Sequence, residues 1–133
     1  GELPAGRAAL LTHDADRYED ESVWREARPE LVMGPASWRW VERAYASWRG
    51  LEAPGALEQV QTPVLFLSTS VDALVSHPAN LRAAARLLRG EMVAFGPEAA
   101  HEILREVDAV RARAMQAISD FLDRVAPPAN RQA

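Results

Sequence analysis

Two side chains in this sequence have the types and the spacing for acid–base chemistry: the carboxylate of Asp72 and the imidazole of His101, 29 residues apart. A carboxylate that accepts a hydrogen bond from one ring nitrogen fixes the tautomer. It also stabilises the imidazolium that forms when the other nitrogen takes a proton. Such a pair is half of a general-base relay. Each residue alone has a plainer reading, because an Asp after a strand often forms a turn and a loop His often faces solvent.

The elements that must bring the pair together are legible around it. Val64-Leu65-Phe66-Leu67 is a short continuous apolar run introduced by Thr62-Pro63, and proline does not sit in mid-strand. Such a run suits a strand buried on both faces of a parallel sheet. Pro78 to Arg89 is predicted to be helical. Pro78 sits in its first turn, Ser76 or His77 caps it, Gly90 ends it, and Leu81, Ala84, Ala85 and Leu88 share a face. Met92 to Phe95 forms the second strand. The order is β-α-β, for which parallel strands and a right-handed crossover are expected. Asp72 and His101 each follow the carboxyl end of a strand. Adjacent strands, roughly 5 Å apart, place both side chains on the rim where open α/β sheets hold ligands.

These residues resemble the C-terminal half of an α/β-hydrolase of the lysophospholipase or monoacylglycerol-lipase branch. The resemblance rests on Thr62-Pro63-Val64-Leu65, on Asp72 with Val75 behind it, and on Gly96 followed by His101-Glu102-Ile103-Leu104. It extends to Leu11-Thr12-His13-Asp14-Ala15-Asp16-Arg17-Tyr18, which is similar to a signature of the family's lid insertion. The resemblance implies an α/β fold in which 61–126 is the last β-α-β-α of a mostly parallel sheet, preceded by a helical lid over 1–60 and followed by a mobile tail at 127–133. It also implies that Asp72 and His101 are the acid and the base of a Ser-His-Asp triad, whose chain order in this fold is Ser, Asp, His. One departure stands out. Ser70 occupies the place, two residues before the Asp, where the family has Gly, and Ser is a poorer residue for a positive-φ turn.

The nucleophile is missing. No two glycines lie four residues apart, so there is no Gly-x-Ser-x-Gly elbow, and Ser22, Ser37, Ser47, Ser68, Ser70, Ser76 and Ser119 all lack its flanks. Two strands alone do not make a stable sheet. The expectation is that the chain is part of a larger protein, as a fragment, a truncated reading frame or a cleaved half.

In the N-terminal half, Asp14 is expected to cap a helix that Pro29 ends. Pro35 to Leu51 has the clearest helical period there, with Trp38, Val41, Tyr45 and Trp48 as a stripe beside Trp40 and Ala44. The tryptophans read mainly as packing within the lid and onto the sheet, and the resemblance places Trp40 near substrate. Ala56 to Val60 reads as one turn of helix. After His101 a long helix is expected, with Ile103, Leu104, Val107, Val110, Ala114, Ile118, Phe121 and Leu122 on the packed face and Arg105, Glu106, Arg111 and Arg113 opposite.

The 133 residues carry a net charge of −4, and no basic cluster indicates a nucleic-acid surface. Without cysteine there is neither a disulfide nor a thiolate metal site. No apolar run approaches the roughly 18 residues of a membrane span, and a cytoplasmic location is expected. His13 reads as a solvated loop histidine with no partner at metal-ligand spacing. His101-Glu102 lacks the second His of a zinc-protease helix, position 105 being Arg. His77 reads as a capping or solvent-facing residue. No cofactor and no metal is expected.

The reading is therefore an ester hydrolase half acting on an acyl ester or lipid-like substrate, with serine and oxyanion hole supplied by a missing N-terminal half. An alternative is a non-catalytic fragment or interaction module that pairs with another chain through its open sheet edge. A further alternative is another α/β-hydrolase chemistry, peptidase or dehalogenase, since the acid–imidazole pair is common to them.

Overall fold

The computed structural model describes residues 6–127. They form a mixed α/β structure with five α-helices and a two-stranded parallel sheet. In chain order the elements are α1 (Arg7–Leu11), α2 (Ala15–Ala27), α3 (Trp38–Glu52), β1 (Val64–Thr69), α4 (His77–Arg86), β2 (Gly90–Phe95) and α5 (Asp108–Val125). The tail expected beyond Pro127 lies outside the described residues, as does the approach to α1 around Pro4.

β1 and β2 pair in parallel from Val64↔Gly90 to Thr69↔Phe95. Amide–carbonyl bonds at both ends extend the pairing, Val64 N to Arg89 O at 3.0 Å and Ser70 N to Phe95 O at 2.9 Å. α5 covers one face. Val110 and Ala114 pack with Phe95, Ala99 and Ile103 into the core, and Leu67 and Val93 close over it. The Arg113 guanidinium lies 4.4 Å over the Phe95 ring and donates to the Ala94 carbonyl. α4 covers the other face, where the buried Ser68 hydroxyl meets His77 Nδ1 at 2.9 Å and Asn80 Nδ2 at 3.0 Å. His77 thus holds α4 to β1, while Ser76 is the residue that caps the helix. Most of each strand is only half-buried, and among the described residues no third strand pairs with either.

Several boundaries differ from the sequence expectation. α4 stops at Arg86, and Gly90 starts β2 instead of ending the helix. A β-carbon at Gly90 would lie 2.3 Å from the Ala84 carbonyl oxygen, so the strand can pass this close to α4 only because no side chain is there. The final helix is broken: Ile103–Arg105 forms a single 3₁₀ turn and α5 begins at Asp108. Glu106, expected on the charged face, lies in that break and is fully buried. Ala56 to Val60 forms hydrogen-bonded turns rather than a helical turn.

The N-terminal helices follow their caps. Asp14 accepts from Arg17 N at 3.0 Å and Ser37 from Trp40 N at 3.2 Å, each satisfying an amide that the first turn leaves unpaired. At its far end α3 is held by Arg86, which donates to the carbonyls of Leu51, Glu52 and Ala53 and pairs with Glu58 at 2.8 Å. The Arg86 guanidinium holds the Glu58 carboxyl down to about 2. The aromatic stripe of α3 does not pack. Trp38 is 90% exposed, and Trp40, Tyr45 and Trp48 are exposed as well. Tyr45 and Trp48 meet edge to face at 6.3 Å, and each leaves more than half of its surface exposed. The expectation that the tryptophans pack is corrected. Among the described residues no helix is long and apolar enough to cross a membrane.

Candidate active site

The two strand ends are tied together before any charged group is involved. Thr69, the last residue of β1, is fully buried. Its hydroxyl lies 2.7 Å from the Ala99 carbonyl and 3.0 Å from that of Gly96, so the loop after β1 is fastened to the loop after β2. The chain then turns, with Asp72 N donating to Thr69 O. No residue other than glycine adopts a positive φ among the described residues. The chain therefore passes from Ser70 to Asp72 without the left-handed turn that a glycine would favour.

Asp72 folds its carboxylate back onto its own loop. Oδ1 accepts from the amides of Leu74 at 2.8 Å and Val75 at 3.0 Å, a local Asx arrangement. Oδ2 lies 2.9 Å from His101 Nδ1. An ionised carboxylate only accepts, so Nδ1 is the donor and carries the hydrogen. The Asp72 side chain is 4% exposed and the His101 side chain 33% exposed. Burial pushes the Asp72 carboxyl up. The hydrogen bonds from His101, Val75 and Leu74 outweigh it and hold the group below its ordinary value. Among the described residues no group bonds to His101 Nε2, which leaves that lone pair free to take a proton from a bound group.

The histidine loop is placed by α1 as well as by the sheet. His101 N donates to Leu10 O at 3.3 Å and Glu102 N to Leu11 O at 2.8 Å. Thr12 Oγ1 donates to Arg105 O at 2.7 Å, and the Arg105 guanidinium returns to the carbonyls of Arg17 and Tyr18 while pairing with Glu102. The N-terminal helices are thus fastened to the loop carrying His101.

Sequence reasoning missed Thr69, Glu106 and the partner of His13. His13, expected as a solvated loop histidine, is 48% exposed and places Nδ1 2.9 Å from Glu106 Oε1. The signal for Glu106 was present. It sits three residues after Ile103 and four before Val110, on the apolar side of the period. Its charge assigned it to the opposite face.

A cavity of about 730 Å³ opens between α2, residues 31–34 and the start of the 3₁₀ turn. Its lining includes the charged Arg7, Glu21 and Glu102 and the apolar Trp24, Leu31 and Met33. Glu102, adjacent to His101, lines it. Asp72, His101 and Trp40 do not, so the aromatic nearest the cavity is Trp24. Among the described residues no three His, Cys, Asp or Glu side chains gather to hold a metal ion.

No family model, no curated protein and no solved structure matches this chain.

Proposed function

We propose that this chain carries the acid and the base of a serine ester hydrolase of the lysophospholipase or monoacylglycerol-lipase kind, with the nucleophile supplied by a segment or chain outside these residues. The observation that supports this is the 2.9 Å contact from Asp72 Oδ2 to His101 Nδ1 at the carboxyl ends of adjacent parallel strands, with Nε2 left free.

In the reaction His101 Nε2 takes the proton of the serine hydroxyl while its oxygen bonds to the ester carbonyl carbon. Asp72, held ionised by its three donors, stabilises the imidazolium. The imidazolium gives the proton to the departing alcohol as the carbon–oxygen ester bond breaks. Water then repeats the sequence on the acyl-enzyme, returning a carboxylic acid and free serine.

The native gene product is expected to hydrolyse short nitrophenyl esters, with His101→Ala lowering kcat/KM by roughly 1,000-fold or more. Retention of more than about a tenth of the activity removes His101 from the mechanism. The sheet, with no third strand among the described residues, and the exposed α3 stripe favour a second reading, a module that pairs with another chain. The same assay separates the two, because a pairing module shows no hydrolysis that depends on His101.

A further inference from the structure

A second acid–imidazole pair stands behind the first, at the other end of the histidine loop. The Glu106 side chain is 0% exposed, and it gathers its donors from two distant parts of the chain. Oε1 accepts from Ala100 N at 2.7 Å and from His13 Nδ1 at 2.9 Å. Oε2 accepts from His13 N at 3.1 Å and from Val107 N at 3.3 Å. None of these donors is a guanidinium. The nearby Arg17 donates to the backbone carbonyl of Glu106, and pairs with Asp14 and Asp108.

A buried carboxylate is costly unless its hydrogen bonds are satisfied, and an apolar residue would fill the same space without that cost. A carboxylate here does what an apolar residue cannot: it binds amides on two segments through one rigid group. One segment ends at Ala100, immediately before His101. The other is the α1–α2 turn, whose preceding carbonyls at Leu10 and Leu11 accept from the amides of His101 and Glu102.

We infer that Glu106 is a positioning residue for His101, clamping the Ala100 amide and the His13 turn so that the imidazole keeps Nδ1 on Asp72 and Nε2 free. The assignment rests on the reading of His101 as the base. His13 completes the clamp. Its ring shares Oε1 with the Ala100 amide, and it is the clamp's solvent-facing side chain, 48% exposed. The N-terminal helices therefore set the direction of the base.

The test is nitrogen NMR of the full chain with labelled histidine at alkaline pH, read as the fraction of His101 that carries its hydrogen on Nδ1. Glu106→Gln, which keeps one acceptor oxygen and sets an NH2 either against Ala100 N and His13 Nδ1 or against the His13 and Val107 amides, is expected to lower that fraction roughly twofold or more, as a coupled contact does. A lowered urea midpoint with an unchanged fraction makes Glu106 merely structural and overturns the proposal. His13→Ala keeps the carboxylate and serves if Glu106→Gln does not fold. It is expected to shift the fraction in the same direction by a smaller amount, and His13→Asn, whose amide can replace the ring donor, to restore it. No shift in His13→Ala overturns the proposal equally. Asp72→Asn is the control. If it too leaves the fraction unchanged, the reading of His101 as the base fails. If it alone changes the fraction, only the role of Glu106 fails.

Discussion

Asp72 is held in its charged form by three hydrogen bonds against the pull of burial, and that has a consequence for stability. The unfolded chain binds this proton in the ordinary carboxylate range near about pH 4, and the folded chain only at lower pH. The unfolded state therefore binds more protons in the interval between, and stability rises with pH across it. The contribution is complete above about pH 4 and is lost as pH falls through the folded value. Asp72→Asn is expected to flatten the dependence of the urea midpoint on pH below about 4 and to leave its slope near neutrality unchanged. An equally steep acid loss in the variant contradicts this account of the carboxylate. Both residues of the pair were legible in the sequence, because each follows an apolar strand by a few residues and local pattern suffices to place it. For Glu106 the local period pointed inward, but its partner was not legible, since His13 lies 93 positions away and nothing local reveals where the chain returns. The Ser70 position was misleading in a smaller way: the turn it occupies needs no positive φ.

Among the elements, the caps were the most legible. Asp14 was readable, and Ser76 as one of two candidates beside His77, because a cap is a contact across three residues. Ends set by tertiary contacts were not. The sequence suggested Gly90 as a helix terminator, but its role is to let β2 pass under the Ala84 carbonyl. Gly90→Ala is expected to destabilise the fold by roughly 1–3 kcal/mol, the usual cost of overpacking, measured by urea unfolding. A neutral result shows that α4 can shift freely and that the close approach is not a constraint. The break after Arg105 has a comparable logic. An unbroken helix from Ile103 would keep Glu106 in register with its neighbours. The 3₁₀ turn lets its carboxylate fold inward to four donors. The α3 stripe reads correctly as a helix face and incorrectly as a packed one, because periodicity reports amphipathicity without saying what lies opposite.

For the whole molecule, the β-α-β core with α5 behind it was expected from alternating strand and helix patterns. The mixed α/β class follows from the same alternation. What the sequence pattern did not disclose is how completely the N-terminal helices and the histidine loop are joined. The Leu10, Leu11, Thr12, His13 and Arg17 contacts all converge on 100–108. Among the described residues the sheet has no third strand, and the Asp72–His101 pair stands at its carboxyl rim with one imidazole nitrogen committed and the other without a partner. The proposed chemistry depends on that division of labour between the two nitrogens. It is read most directly by the nitrogen NMR spectrum of His101 in the unaltered chain at alkaline pH. Predominance of the form with hydrogen on Nδ1 and a bare Nε2 is the predicted result. Predominance of the form with hydrogen on Nε2 would leave no lone pair to receive the serine proton, and would contradict it.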